Sequence, residues 1–393
     1  MPSWYMQACD PTGTASALYA VPVLGLTCAV NLASRAFTQL KVRGSYTWSK
    51  LFVRVISYVA PSNTFHSEIN GVDGNQTVTL NATGTFEDNV NSDALLDGDL
   101  INWEGGGSST IKVNLVGCVL EAASDIPIIG ASYVYSTGSP VGANASLAIE
   151  GYLSPAATEL NTQYVFRSIS TLSNLTVYCS AWTSNLDLYL RKNGVNGNSH
   201  VHITATGRFE DAVNTDAVAV GDTINTKAGA AGSVNLTMLH LKSSSVGRQI
   251  AATACAIGRG FSVGPLYVPL EGNLRDTASG QGKARMNWSG KNLFVRVITN
   301  TRVDATTVST RKGGADANLN ISIGAAATGT FEDTVNTDSF LAADLHQYRV
   351  SVGVGAGTVT ITIIGFEQQQ PVAASSAGSN AWLASLLPEL LGV

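Results

Sequence analysis

Short stretches in which apolar and polar residues alternate recur along the whole chain. Residues 51–56 and 293–298 both read Leu-Phe-Val-Arg-Val-Ile, and residues 175–179 follow a related pattern. Because successive side chains of a β-strand point to opposite faces, this pattern predicts strands whose Leu, Val and Val face a core. Phe and Arg then face outward, and we interpret Arg54 and Arg296 as surface residues that form salt bridges.

Turn residues separate these strands at regular intervals. Asn70-Gly71 and Asn193-Gly194 lie in corresponding places, and two glycines at 313–314 occupy the third such place. Asn and Gly adopt positive φ at low cost, as the tight turns of β-hairpins require. Roughly seven or eight short strands per unit, with a turn about every ten residues, predict a β-sandwich.

One eleven-residue segment, referred to below as the signature, occurs at residues 83–93, 206–216 and 328–338. The third copy reads Thr-Gly-Thr-Phe-Glu-Asp-Thr-Val-Asn-Thr-Asp, and each of the others differs from it at two positions. Phe209 lies 123 residues (209 − 86) after Phe86, and Phe331 lies 122 (331 − 209) after Phe209. A constant period of this length is that of a whole domain, which predicts three tandem copies of one unit.

Together these features predict an all-β protein of three tandem jelly-roll-like β-sandwich domains with a short C-terminal helical peptide. We place repeat 1, with an N-terminal arm, at residues 1–126, repeat 2 at residues 127–249 and repeat 3 at residues 250–370. Residues 371–393 form a linker of small residues and an apolar peptide.

The C-terminal peptide has the spacing of a short amphipathic helix. Asn380 can cap its start, and Pro388 should kink or end it. Its apolar residues are Trp382, Leu383, Leu386, Leu387, Leu390 and Leu391. An apolar peptide on a linker needs a surface to bury against, so we expect these residues to bind a partner subunit. Packing on its own chain and association with a membrane are the alternatives.

Acidic residues are concentrated in the signature. Each copy contains Phe-Glu-Asp, at Phe86, Glu87, Asp88, at Phe209, Glu210, Asp211 and at Phe331, Glu332, Asp333. One interpretation is structural, because Asp and Asn accept backbone N–H bonds in a turn while Phe plugs the end of the sandwich. The other is a calcium site, since calcium takes hard oxygen ligands, although the spacing of an EF-hand is absent.

Candidate chemistry elsewhere is sparse, so we expect neither an enzyme nor a cofactor-binding protein. The signature acids could form a glycosidase pair, but three equivalent active sites in one chain would be unusual. His200 and His202 share one strand face, where an exposed polar face is the alternative to a metal pair. Phosphate-loop, HExxH and dinucleotide-binding motifs are all missing from the sequence.

Composition and charge restrict the partners. The chain of 393 residues has a net charge of −5 and only 13% charged residues, which argues against nucleic acid as a partner. The five cysteines lack CxxC spacing, so we expect buried free thiols, with an inter-subunit disulfide through Cys9 as the alternative. The N-terminal region lacks a cationic segment, and we expect neither a signal peptide nor a membrane span.

The order of these elements resembles β-sandwich repeats in virion proteins of tailed bacteriophages. The resemblance rests on Leu-Phe-Val-Arg-Val, the Asn-Gly hairpin, the signature and the Thr/Ile strand that closes each copy. Such repeats occur in capsid decoration proteins, head or collar fibres and tail-associated proteins. The resemblance implies a non-enzymatic structural protein of the virion that binds other virion subunits, as a homo-oligomer or with capsid or tail proteins. The alternative is a carbohydrate-binding or adhesin array that contacts surface glycans.

Overall fold

The computed structural model describes residues 3–16, 19–21, 23, 35–106, 111–122, 128–132, 138–244, 248–273 and 281–369. Throughout these ranges the chain is β-structure, interrupted by two short 3-10 helices, at Arg35–Phe37 and Glu159–Thr162. The prediction of an all-β protein is therefore confirmed. Nowhere in this part of the chain is a helix long and apolar enough to cross a bilayer.

The strands fall into three successive groups that follow the three repeats. Repeat 1 contains β1 (Ser3–Ser16), β2 (Tyr19–Val21), β3 (Leu40–Lys41), β4 (Tyr46–Tyr58), β5 (Asn63–Ile69), β6 (Val72–Leu80), β7 (Gly84–Leu95), β8 (Leu100–Gly106) and β9 (Ile111–Ala122).

Repeat 2 contains β10 (Ile128–Ser132), β11 (Ser139–Gly142), β12 (Ser146–Leu147), β13 (Gly151–Tyr152), β14 (Pro155–Ala156), β15 (Tyr164–Val165), β16 (Ser170–Ser184), β17 (Leu186–Lys192), β18 (Val195–Ile203), β19 (Gly207–Val218), β20 (Thr223–Ala228) and β21 (Ser233–Ser243).

Repeat 3 contains β22 (Arg248–Phe261), β23 (Leu266–Val268), β24 (Gly272–Asn273), β25 (Gly282–Lys283), β26 (Trp288–Asn300), β27 (Thr306–Lys312), β28 (Ala315–Ile323), β29 (Gly329–Phe340), β30 (Leu345–Val352) and β31 (Val359–Gln369).

Each group forms two sheets with the same strand order. The sheet that contains the signature, here the signature sheet, runs β1-β9-β4-β7, β10-β21-β16-β19 and β22-β31-β26-β29 in the three repeats. The opposite sheet runs β2-β8-β5-β6, β12-β20-β17-β18 and β23-β30-β27-β28. These ladders are antiparallel, and parallel pairing is confined to the short strands β13 and β24 at the sheet edges. The repeated sequence thus forms a repeated topology.

A core of apolar side chains lies between the two sheets of each repeat. In repeat 1, Leu51 and Val53 of the signature sheet share a core with Phe65 and Trp103 of the opposite sheet. The corresponding Leu and Val residues of repeats 2 and 3 lie in two further cores. This confirms that the inward face of the alternating strands carries the Leu and Val residues, whose burial supplies the main stabilisation.

The hairpins also follow the prediction. Asn70 and Gly71 have φ values of +54° and +81°, and Asn193 and Gly194 have +52° and +78°. Two positive φ values in succession match the right-handed twist of the flanking strands. The Asn-Gly pairs therefore set the register of β5 with β6 and of β17 with β18.

The N-terminal arm differs from the prediction. Ser3–Ser16 is not a separate arm, because it forms strand β1 and pairs along most of β9. Its sequence lacks a two-residue alternation, and it contains Pro11 and Gly13, which masked the strand. The ladder is interrupted between Cys9 and Thr14, where this part of the strand leaves its partner.

One turn in repeat 3 lacks the glycine that its counterparts have. Gly98 and Gly221 have φ values of +94° and +92°, and Ala343 has +80° in the corresponding turn. A Cβ in this conformation costs about 1–2 kcal/mol. We expect Ala343→Gly to raise the free energy of unfolding by about 1 kcal/mol in urea denaturation. Ala342→Gly, next to it in the same exposed turn, should give no gain, and an equal gain there would contradict the explanation.

Candidate functional site: the signature strands and the contacts between repeats

The signature forms a strand with a bulge, and not the turn that we predicted. Val53 pairs with Phe86 and Leu51 with Asp88, but Ser49 then pairs with Ser92. Three residues, 89–91, therefore oppose Lys50 alone, and Lys50 has a φ of +59°. The register shifts at the same place in the other repeats, beside Asn174 and Asn292, both with φ +54°.

The first aspartate of the signature holds this bulge. Asp88 Oδ1 accepts hydrogen bonds from the backbone N–H groups of Val90 (3.1 Å) and Asn91 (3.0 Å). Asp88 Oδ2 accepts from the N–H of Thr77 and the side-chain amide of Asn91, both at 2.9 Å. Asp211 and Asp333 accept the corresponding bonds in their repeats. The interpretation of these residues as acceptors of backbone N–H bonds is confirmed.

The pKa of each of these aspartates reflects the same bonds. Partial burial alone would raise the pKa of Asp88, but the hydrogen bonds from Asn91, Thr77 and Val90 outweigh it and lower the pKa. The carboxylate is the form that accepts four N–H donors, so the bulge favours the ionised state. Oxygens that already accept N–H donors are poorly placed to coordinate calcium as well.

The second aspartate of the signature holds the neighbouring hairpin. Asp93 Oδ1 accepts from the N–H of Asn75, and Asp216 Oδ1 from that of Asn198, both at 2.6 Å. A Cβ on Gly74 would lie 2.8 Å from the Asp93 carboxylate, so this close approach requires glycine. The signature therefore ties β7 to β6 through its carboxylates.

The phenylalanines of the signature occupy equivalent positions. Phe86, Phe209 and Phe331 pair with Val53, Val177 and Val295. Each is partly buried and packs against the core of its own repeat, on a strand and not at a turn.

The glutamates of the signature connect the three repeats in a closed cycle. Glu87 of repeat 1 pairs with Lys283 and Arg285 of repeat 3. Glu210 of repeat 2 pairs with Lys41 and Arg43 of repeat 1. Glu332 of repeat 3 pairs with Arg167 of repeat 2. Each repeat thus uses one surface toward the preceding repeat and a different surface toward the following one, as in a cyclic trimer.

The ion pair between Glu87 and Arg285 is largely removed from solvent. The distance from Arg285 Nη1 to Glu87 Oε2 is 2.8 Å, and the side chain of Arg285 is 4% exposed. Burial opposes ionisation of Glu87, but Lys283, Arg285 and Asn89 together lower its pKa to about 2. The sequence carries a signal of these pairs, since Lys41-Val-Arg43 and Lys283-Ala-Arg285 stand at the same place in their repeats. Sequence reasoning could not show which repeat each pair contacts.

Apolar and aromatic side chains fill the same contacts. Phe52 and Phe294 face outward from their own sheet, as predicted. They are nevertheless buried, because the neighbouring repeat covers them. The guanidinium of Arg285 lies 5.8 Å from the ring centre of Phe52, and Tyr164 of repeat 2 lies edge-on to Phe294 at 6.1 Å. Met238 of repeat 2 belongs to the core of repeat 1. The outward sheet faces are therefore contact surfaces between repeats.

Arg54 and Arg296 are not the exposed surface residues that we predicted. Arg296 is 9% exposed and donates to the carbonyl of Leu160 in repeat 2 at 3.1 Å. Arg54 donates to the carbonyl of Gln281 in repeat 3 at 3.3 Å. Both arginines bind across the repeat boundary because the adjacent repeat covers the face on which they lie.

Two buried glutamates lie where the repeats meet. Glu150 precedes β13 and Glu271 precedes β24, and they are 1% and 2% exposed. Burial, together with the charge of Glu271, raises the pKa of Glu150 well above its ordinary value. Burial raises the pKa of the Cys118 thiol of repeat 1 to about 12, and the charge of Glu271 contributes to this increase. The two carboxyl groups therefore share a site of low polarity.

The other candidate groups have local roles. His202 Nδ1 lies 2.6 Å from Asp187 Oδ1, and the ring of His200 stacks on Tyr189. Both histidines are on an exposed strand face, and neither belongs to a group of three metal-ligating side chains within the described residues. Cys118 and Cys179 are buried free thiols, which confirms that prediction for these two cysteines.

The proposed partner-binding residues Trp382, Leu383, Leu386, Leu387, Leu390 and Leu391, and the linker before them, lie outside the described residues. Comparison with known proteins adds no assignment, because no family model and no curated protein matches the sequence.

Proposed function

We propose that this chain is a non-enzymatic structural protein of a virus particle, of the tailed-phage type, that binds other virion subunits. The observation that carries the proposal is the closed cycle of contacts through Glu87, Glu210 and Glu332. One chain thereby builds an arrangement that otherwise takes three subunits. A ring of three equivalent units suits attachment to a site of threefold symmetry, such as a trimeric subunit of a particle.

The strand order supports the same proposal. When the eight strands that make up the two four-stranded sheets of each repeat are counted in chain order, the signature sheet runs first, eighth, third, sixth. The opposite sheet runs second, seventh, fourth, fifth. Two four-stranded sheets in this order form two interlocked Greek keys, which define the jelly roll common in viral capsid and lectin domains. We therefore propose that each repeat is a jelly roll, with boundaries at residues 126/127 and 249/250.

A set of equivalent exposed valines is the surface that we propose for binding. Val90, Val213 and Val335 lie at the bulges and are 91%, 86% and 88% exposed. The other invariant residues of the bulge have a structural role, since Glu contacts the preceding repeat of the cycle and Asp and Asn hold the backbone. The valine is the same in all three copies and contributes little to any core. An external partner would account for its presence in each repeat.

The groove beside one bulge adds to this surface. A cavity of about 290 Å³ in repeat 3 is lined by residues of β28 and β29, among them Ile321, Phe331 and Val335. It is open on one side and combines apolar side chains with amides and with the carboxylates of Glu332 and Asp333. An apolar side chain of a virion subunit could be buried there against Val335.

We expect the triple variant Val90→Ser, Val213→Ser, Val335→Ser to fold normally but to lose at least about tenfold in binding to the particle. Each valine buried in a contact is worth about 1.5 kcal/mol, and 1.4 kcal/mol corresponds to tenfold in affinity. The measurement is co-sedimentation of the purified chain with particles that lack it. The control is Val59→Ser, Val263→Ser, Val354→Ser, which alters three exposed valines that are not equivalent. Equal loss in both variants would contradict the role of the bulges.

The direct test of the proposed function is the composition of the particle. We expect mass spectrometry of purified virions to find this chain in a fixed ratio to the capsid or tail subunits. We expect electron microscopy to place it on a threefold or pseudo-threefold position. Its absence from washed virions would overturn the proposal.

Deleting residues 380–393 in the same assay tests the proposed C-terminal anchor. The anchor role requires reduced incorporation into virions with an unchanged circular dichroism spectrum.

The glycan-binding alternative lacks a specific observation. A glycan array would use exposed aromatic residues at equivalent positions. Trp48, Trp103 and Trp288 are buried in the cores. Trp182, which is 44% exposed, has an aromatic counterpart in repeat 1, Tyr58, but Asn300 takes that position in repeat 3. A glycan array screen with saturable binding would favour the alternative.

A further inference from the structure

A cluster of metal-ligating side chains lies on the opposite sheet of repeat 1, away from the signature. His66 on β5, Asp73 on β6 and Glu104 on β8 bring their donor atoms within 4.8 Å of one another. His66 and Glu104 are directly paired residues of adjacent strands, and β6 continues from β5 through the tight hairpin. Three paired backbone segments therefore bring the three residues together, with the side chain of Asp73 72% exposed.

The donor atoms are close without being bonded to one another. His66 Nε2 lies 3.0 Å from Asp73 Oδ1, yet it is buried and has no hydrogen bond of normal geometry. The Oε2 atom of Glu104 is likewise buried without a hydrogen bond, whereas its Oε1 accepts from Arg35 at 2.9 Å. Two ligands of one tetrahedral zinc ion, each about 2.0–2.2 Å from the metal, stand about 3.3 Å apart. A small movement of the three side chains would bring them to such distances.

A fully buried carboxylate adds a second observation. The side chain of Glu68 is 0% exposed and lies within hydrogen-bonding reach of the side chains of Glu104 and Gln39. It lies against Glu104 and contacts Arg35 Nε at 3.2 Å. A buried carboxylate costs free energy unless cations compensate it. Glu68, Glu104 and Asp73 thus lie around Arg35.

The other two repeats show that this arrangement is not required by the fold. Lys227 and Arg349 stand where repeat 1 has Glu104, and Tyr189 and Ser309 stand where it has His66. Repeats 2 and 3 have Arg191 and Arg311 at the position of Glu68.

In repeat 2, Glu159 bridges Arg191 and Lys227, so one carboxylate compensates two cations. Repeat 1 reverses these charges, with Arg35 between two glutamates, and adds His66 and Asp73 beside them. The reversed ion pairs account for Arg35, Glu68 and Glu104. They do not account for the imidazole of His66; Asp73 has a counterpart in repeat 3, Asp316, which pairs with Arg311 and Arg349.

We infer that repeat 1 binds one divalent transition-metal ion, of the zinc class, through His66 Nε2, Asp73 and Glu104. One imidazole and two carboxylates suit zinc, and an open fourth position would be left to water. Magnesium and calcium prefer sites made of oxygen alone. Glu68 and Arg35 adjoin the ligands and orient Glu104.

The test is titration of the full-length chain, first treated with chelator, with ZnCl₂ in a calorimeter. We expect one saturable site, and at about a hundredfold excess over the Kd we expect the thermal midpoint to rise by several degrees. Cobalt(II) should give the visible absorption bands of a tetrahedral complex. His66→Gln and Asp73→Asn, which keep size and hydrogen bonding, should each weaken binding at least tenfold.

His202→Gln is the matched control, because His202 also pairs with an aspartate but belongs to no group of three ligands among the described residues. Its affinity for zinc should equal that of the wild-type chain. Circular dichroism of each variant establishes that it is folded. No saturable site, or equal binding by wild type, His66→Gln and Asp73→Asn, would overturn the inference and leave the cluster as a network of ion pairs around Arg35.

Discussion

Glu87→Ala is expected to lower the free energy of unfolding by about 3–5 kcal/mol, the range measured when one partner of a buried ion pair is removed. Glu87 is the shared partner of Lys283 and Arg285, and Arg285 is almost fully buried. Without the carboxylate, a buried guanidinium keeps only the carbonyl of Lys50, the side chain of Asn89 and the ring of Phe52. The contact between repeats 1 and 3 should weaken first, which small-angle scattering would detect as expansion before unfolding.

Glu121→Ala is the control for this variant. Glu121 lies 3.9 Å from Lys50, and both side chains are substantially exposed. Exposed pairs contribute about 0–1 kcal/mol, so this variant should unfold close to the wild type in urea. A loss for Glu87→Ala no larger than for Glu121→Ala would show that the contact between repeats 1 and 3 does not depend on its ion pairs.

The same contact predicts how stability changes with acid. The folded-state pKa of Glu87 is about 2, below the ordinary value of 4.5. A depressed pKa contributes stability above pH 4.5 that is lost as the pH falls toward 2. We expect Glu87→Gln to remove this part of the acid dependence, measured as a smaller decrease in the thermal midpoint over that interval.

Glu150→Gln is expected to raise the free energy of unfolding at neutral and alkaline pH, whereas Glu87→Ala lowers it. The folded-state pKa of Glu150 lies well above 4.5 because of burial and the charge of Glu271. The unfolded chain therefore releases this proton at a lower pH than the folded chain. Stability is fully present below pH 4.5 and decreases as the pH rises toward the folded-state pKa, by about 1.4 kcal/mol per pH unit. Glutamine resembles the protonated acid in shape and does not ionise.

The measurement is urea denaturation of wild type and Glu150→Gln at acidic and mildly alkaline pH. The two proteins should have similar free energies of unfolding at low pH, and the variant should become the more stable of the two as the pH rises. Glu159→Gln is the contrasting control. The pKa of Glu159 is lowered because Arg191 and Lys227 outweigh its burial, so the variant should lose stability at neutral pH. A pH dependence unchanged by Glu150→Gln would show that Glu150 is ionised in the folded protein.

The strands and hairpins could be predicted because they follow from local rules. Leu51 and Val53 face inward because the strand period is two, and Asn70-Gly71 turns because Asn and Gly tolerate positive φ. The bulge at Asp88 was missed because a run of Asp and Asn has the composition of a turn. Inside a strand, the same side chains can satisfy the N–H groups that a bulge leaves unpaired.

The contacts between repeats could not be predicted in the same way. Glu87 and Asp88 are adjacent in every copy, and nothing local distinguishes the residue that binds its own backbone from the one that binds another repeat. Their difference arises because neighbouring residues of a strand face opposite sides. Phe52 also shows this limit. It is buried, but its burial could be predicted only if the position of the neighbouring repeat were known.

Closure of the cycle has a consequence for assembly. Each repeat carries a donor surface and an acceptor surface, and in the intact chain repeat 3 meets repeat 1 within one molecule. Because the two surfaces are tethered, their effective concentration exceeds that of separate molecules, and the intramolecular contact is favoured. A chain in which that last contact is opened would expose both surfaces at once. They are complementary but not identical, so such chains could join head to tail without limit and form filaments. Closure of the cycle within one chain therefore keeps these complementary surfaces from joining separate chains into filaments.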